Sequence, residues 1–203
     1  MNHASTSNTQ QLILASSSAY RRALLEKIGL KLLCEAPNID ESAQTNEGAT
    51  ELARRLSITK AQAIATKHPN AIIIASDQCA ELDGKILGKP GTIERAQQQL
   101  SQCSGSEVLF HTGLCVLNSR TGQQHVAIET VSTQFRDLSS SDISNYIQRE
   151  SALDCAGSFK IEGLGISLFR QVRSDDPNTL IGLPLIRLID FLAREGYEVL
   201  QRN

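Results

Sequence analysis

The chain of 203 residues is long enough to bury a sizeable core as one domain or as one domain with two lobes, and its formal charge of −2 supplies no basic excess for a nucleic-acid groove or an anionic membrane surface. Five cysteines, odd in number, scattered and free of any CxxC pair, argue against a disulfide framework and a structural zinc site and fit reduced thiols in a cytoplasm. The opening MNHASTSNTQQ has no apolar h-region, and the most apolar stretch, LIGLPLIRLIDFLA, is broken by Pro184, Arg187 and Asp190, so neither secretion nor membrane insertion is expected.

In chain order, residues 1–11 read as a polar tail and 12–203 as the folded domain. Leu12 to Ala15 predicts a buried strand and Ala19 to Ile28 an amphipathic helix, with Ser16, Ser17 and Ser18 on the turn between them. Such a turn collects anions, because the N–H groups of a helix start point outward at a positive dipole end and Arg21 and Arg22 add guanidinium forks. The plainer alternative is a serine cap followed by a surface arginine pair. KLLCEAP suits a second strand, PNIDESAQTNEGAT a polar acidic loop, and Glu51 to Lys67 a long helix. AIIIASD is the apolar β-branched run of a central strand; it is expected to stop at Ser76, Asp77 and Gln78, leaving a carboxylate at a sheet rim. CAELDGKILGKP predicts a hairpin turning at Asp83-Gly84, and Ile93 to Cys103 a helix.

VLFHTGLCVLNS and HVAIETVSTQFRDL flank the turn residues Arg120 to Gln123 and should pair antiparallel. Ser139 to Arg149 reads as a capped helix, Gly157 to Phe169 as a glycine-rich strand region, and Pro184 to Glu195 as a closing helix opened by proline. Nothing repeats and no linker divides the chain, so the expected class is α/β, a mixed central β-sheet flanked by helices.

One motif is a decoy and another a minor rival. GKILGKP lacks the fourth spacer residue and the hydroxyl of a phosphate loop. Ser57-Ile-Thr-Lys60, Ser76-Asp77-Gln78 and His111-Thr112-Gly113 imitate a serine acyl-transferase, but Ser57 and Ser76 stand too close for the helical domain such enzymes place between them. The histidines show neither a metal spacing nor a triad pattern. What persists is a charge set at element ends: Arg21, Glu41, Lys60, Asp77 and Lys89. Two carboxylates with three cations suit an anionic substrate together with a hard divalent metal, since Mg²⁺ takes carboxylate and phosphate oxygens at once.

LILASSSAYRRALLEKIG, Asp40-Glu41, TKAQA at Thr59 to Ala63, SDQ at Ser76 to Gln78, GKP at Gly88 to Pro90 and AGSFKIEGLG at Ala156 to Gly165 resemble the motifs of the Maf family of nucleoside triphosphate pyrophosphatases, in that family's order. The resemblance runs from Leu12 to about Tyr197 and departs at Ala19, where the family usually has proline. It implies an inosine-triphosphatase-like fold with two lobes around a cleft, and cleavage of a nucleotide between its α and β phosphates with Mg²⁺ or Mn²⁺. Carried over by motif, Ser16 and Arg21 meet phosphate, Lys60 and Lys89 hold the polyphosphate, and Glu41 and Asp77 serve the metal or the water, with Asp77 the candidate general base.

Tyr20, Gln78 and Glu162 occupy the positions at which subgroups of the family differ. This trio resembles the subgroup acting on 7-methylguanosine triphosphate rather than the one acting on thymidine and uridine triphosphates. N7 methylation leaves guanine positively charged, which suits an aromatic face, and a carboxylate accepts from N1–H and the exocyclic amine. Gln78 is expected to read another edge of the base or to orient Asp77. A nucleotide-sensing regulator of cell division without turnover is the alternative implied by the family name. The expected partner is a small nucleotide, without nucleic acid or membrane, and a homodimer is an open expectation.

Overall fold

The computed structural model describes residues 10–150, 152–153 and 155–201. Residues 1–9 of the expected tail lie outside this range; Gln11, the last residue assigned to it, already begins the first strand. The elements are β1 (Gln11–Leu14), α1 (Ala19–Lys27), β2 (Leu33–Cys34), α2 (Ala49–Ala65), β3 (Ala71–Leu82), β4 (Lys85–Leu87), α3 (Ile93–Cys103), β5 (Glu107–Asn118), β6 (Gln124–Phe135), α4 (Ser140–Arg149), β7 (Phe169–Arg173) and α5 (Leu185–Arg194). The strands form one mixed sheet in the order β2-β1-β3-β5-β6-β7, with β4 also paired to β3. β1 runs parallel to β2 and β3, and the other pairings are antiparallel.

Alternation along β3 sets the layers, because successive side chains leave opposite faces of a strand. Ile73 and Ala75 pack under α2 with Ala61 and Ile64. On the other face Ile72 and Ile74 meet Leu24 and Leu25 of α1 and Leu188 and Leu192 of α5, whereas Ala80 and Leu82 meet Leu100 of α3 and Ile143 and Tyr146 of α4. One face of a single strand therefore serves two cores, and the lobes part between Ile74 and Ala80. The strand's edge opens at the same place: β1 pairs with Ala71 to Ile74, β4 with Ala80 to Leu82, and Ala75 to Cys79 have neither neighbour.

Most expected elements are present, including the 107–118 and 124–135 pair, the capping box of Ser139 and Asp142, and the 83–84 turn, whose residues both take positive φ as a tight hairpin requires. Three expectations are corrected. β3 does not stop at Ser76–Gln78 but runs on to Leu82, so Asp77 lies mid-strand, at the open stretch of its edge rather than at a strand end. KLLCEAP yields only Leu33–Cys34 before the chain leaves the sheet toward the cleft, where Ala36 and Pro37 form part of the wall. The 157–168 stretch is turns, not strand: Gly157 and Ser158 take φ of 74° and 62°, and a side chain at Gly165 would collide with the Lys160 carbonyl. No helix among the described residues is long and apolar enough to cross a membrane.

Candidate active site

Between the lobes lies a cleft of about 870 Å³, and all nine residues singled out above line it: Ser16, Tyr20, Arg21, Glu41, Lys60, Asp77, Gln78, Lys89 and Glu162. They come from six separate stretches of chain, so the fold, not sequence proximity, assembles them.

The serine-rich turn answers to both of its readings. Ser18 caps α1 by accepting from the Arg21 N–H, while buried Ser16 at the end of β1 accepts from the Ser18 N–H at 3.1 Å and from Arg21 Nη1 at 3.5 Å. Arg21 Nε donates to the Gly182 carbonyl at 2.9 Å. Burial pulls this guanidinium below its ordinary value, and the charges of Asp77 and Glu41 push it back up. Arg22, expected beside it, instead faces outward and pairs with Glu26 one turn along.

Across the cleft, α2 brings buried Lys60 to the opened stretch of β3. Its ammonium sits 2.5 Å from Asp77 Oδ1 and 2.7 Å from Glu41 Oε1. The cation expected on polyphosphate is thus shared, in this structure, by two carboxylates. Asp77 Oδ2 accepts from the Cys79 thiol, which burial first and the Asp77 charge second push up to about 12, so it stays a proton donor. For Glu41, removal from water acts upward, but the hydrogen bond to Lys60 and the fields of Lys60, Lys89 and Arg21 outweigh it and hold the carboxyl below its ordinary value. That balance is the electrostatic sign of a site built for anions. Glu41 and Asp77 are a hard donor pair of the kind Mg²⁺ uses while keeping water and phosphate oxygens, and no group of three or more His, Cys, Asp and Glu placed to hold a metal ion occurs among the described residues.

The cleft also has apolar wall residues, Phe159, Ile161 and Leu180, with Tyr20 exposed on the first turn of α1 and Glu162 at the rim. Burial raises the Glu162 carboxyl, which its own backbone N–H and Lys160 partly offset. Gln78 leaves the sheet on the face opposite Asp77 and donates to Thr112 Oγ1 and the Thr179 carbonyl. It holds the 179–182 loop instead of orienting Asp77. Ser57 is fully buried, its hydroxyl returned to the Arg54 carbonyl of its own helix, so it is no nucleophile.

Two glycines were missed. Gly113, opposite Asp77 in register, lets α2 touch the sheet: a Cβ there would lie 2.2 Å from the Ala53 carbonyl oxygen. Gly182, at φ 103°, turns its carbonyl to Arg21 and Ser76. A lone glycine inside the apolar HTGLCV run was the available signal of a close backbone approach.

Comparison with known proteins gives the family. Residues 11–195 match the family described as Maf-like protein. The chain is 53% identical over 188 residues, 93% of its length and 98% of the relative's, to a 7-methyl-GTP pyrophosphatase of Pseudomonas aeruginosa. It is 50% identical over 194 residues, 96% of its length and 98% of the relative's, to one of Alcanivorax borkumensis. Among solved structures, the Staphylococcus aureus Ham1 protein aligns with a TM-score of 0.53 at 17% identity, over 92% of this chain and all of that one, which supports the inosine-triphosphatase-like fold and nothing further. The chain belongs to the Maf family.

Proposed function

We propose that this protein hydrolyses 7-methylguanosine triphosphate between the α and β phosphates, giving the monophosphate and pyrophosphate, in the cytoplasm. The observation that carries the reading is the pairing of buried Lys60 with buried Asp77 and with the more exposed Glu41 at the opened edge of β3, facing Arg21 and Lys89 across one cleft. The activity its half-identical relatives are named for supplies the substrate.

Each residue then has a task that its surroundings suit. Arg21, its fork set by the Gly182 carbonyl and Ser16, holds phosphate oxygens, and exposed Lys89 adds a second cation from the opposite lobe. Asp77, rigid in mid-strand, takes the proton of the water that attacks the α phosphorus, and pyrophosphate leaves. A Mg²⁺ or Mn²⁺ ion, held by Glu41 and Asp77, would neutralise charge on the phosphates. Lys60 positions the carboxylate pair and gives its charge to the polyphosphate as nucleotide binds. At the base end Tyr20 offers a face to the methylated, cationic ring and Glu162 an acceptor to its N–H groups. The test is pyrophosphate release from 7-methyl-GTP, GTP, dTTP and UTP with Mg²⁺ or Mn²⁺: the highest kcat/KM on 7-methyl-GTP is expected, and a preference for dTTP or UTP overturns the substrate assignment.

A further inference from the structure

Gln78 stands opposite Thr112 in the β3–β5 register. Its Nε2 donates to Thr112 Oγ1 at 2.9 Å and to the Thr179 carbonyl at 2.9 Å, with the Leu180 carbonyl at 3.4 Å, and Thr112 gives its own proton to the Thr179 carbonyl at 3.2 Å. Backbone carbonyls only accept. The amide therefore has one sensible orientation, nitrogen toward the loop, and both of its protons are taken by the protein. Thr112 and Thr179 are buried behind Gln78, which lines the cleft, and Oε1 has no partner among the described residues.

We infer that Thr112 is a specificity-positioning residue: by holding the Gln78 amide nitrogen it makes Gln78 a fixed acceptor, so the cleft selects a base that presents N–H donors there. Guanine carries such donors on N1 and on the 2-amino group. Uracil and thymine flank their single N–H with carbonyls, which would face the oxygen of Gln78 unfavourably. The anchor reaches further than the base, because the same 179–182 loop gives the Gly182 carbonyl to Arg21 and Ser76. One loop thus connects the residue that meets the base to the residue that meets phosphate. This rests on the reading that the cleft takes a methylated guanine nucleotide.

The experiment compares kcat/KM for 7-methyl-GTP with that for 7-methylinosine triphosphate, which keeps the cationic ring and the triphosphate and lacks only the 2-amino group. Wild type should favour the guanine nucleotide by about tenfold or more, as expected where a polar site loses its partner. Thr112→Val should reduce that preference to roughly threefold or less, mainly through loss on 7-methyl-GTP, and Thr112→Ser, which keeps the hydroxyl, should restore it. If Thr112→Val does not fold, Gln78→Met serves in its place with the same expected collapse. A ratio unchanged in Thr112→Val or Gln78→Met, or equal losses on both nucleotides, overturns the inference while leaving the pyrophosphatase standing. Absence of wild-type turnover on 7-methyl-GTP overturns the substrate reading and this inference with it.

Discussion

Replacing Gly113 with alanine should damage catalysis from a position that touches no substrate. The added methyl would lie 2.2 Å from the Ala53 carbonyl oxygen and 2.7 Å from its carbon, both backbone atoms, with Ser57 Oγ at 3.0 Å. Ordinary contact begins near 3.4 Å, so α2 must retreat by about 1 Å. Ala53, Ser57 and Lys60 share one face of that helix, and the retreat draws the Lys60 ammonium off Asp77 and Glu41, which it now meets at 2.5 Å and 2.7 Å. Overpacking of this kind costs roughly 1–3 kcal/mol, a fall in Tm of roughly 2–12 °C for a chain of this size. A displacement of about 1 Å in a catalytic group lowers kcat by roughly 10²-fold. Thermal melting and kcat for pyrophosphate release from 7-methyl-GTP measure the two effects separately. An unchanged Tm would refute the steric argument, and a lowered Tm with wild-type kcat would refute the link from helix approach to Lys60.

Three further outcomes are expected. Asp77→Asn should fold and bind nucleotide but lose kcat by roughly 10²-fold or more, the scale of a lost general base; near-wild-type turnover removes that role, whereas binding without turnover in the wild type would favour a sensor. Tyr20→Ala should cost about 0.5–2 kcal/mol more in kcat/KM on 7-methyl-GTP than on GTP, with Tyr20→Phe milder, and equal losses would return the ring to packing. Glu47, which clamps the loop carrying Glu41 through both of its oxygens on Arg55 and the Gln44 N–H, is lowered to about 2 chiefly by the Arg55 hydrogen bonds. A folded value below the unfolded one gives stability that is complete above the unfolded value, about 4.3, and is lost as pH falls toward 2. The Tm gap between wild type and Glu47→Gln should therefore hold constant from about pH 7 to 5 and shrink below about pH 4; a gap that is the same at pH 3 contradicts the clamp.

The parts legible in the sequence were those with local causes. Serine caps, the Asp83-Gly84 turn and the 3.6-residue and two-residue periods are written in neighbouring residues, and the structure follows them closely at α1, α3, α4, β5 and β6. The end of β3 was misplaced because polar Ser76, Asp77 and Gln78 look like a strand terminus. Their partners come from elsewhere: Gly182 for Ser76, Lys60 for Asp77 and Thr112 for Gln78. Polarity inside a strand marks a site as readily as an end. The charges Arg21, Glu41, Lys60, Asp77 and Lys89 stood out at the ends of expected elements, but their roles, and the choice of Ser16, Tyr20, Gln78 and Glu162, came from motif resemblance, since no local rule connects Arg21 to Asp77 or Lys89. Gly113 and Gly182 escaped for the same reason, as their roles exist only once α2 and the 179–182 loop are packed.

The most direct test of the central claim is hydrolysis of 7-methyl-GTP in ¹⁸O-labelled water with Mg²⁺, with both products read by mass spectrometry. Attack at the α phosphorus puts the label in 7-methylguanosine monophosphate and leaves pyrophosphate unlabelled. Label in pyrophosphate, or release of the diphosphate with inorganic phosphate, would contradict it.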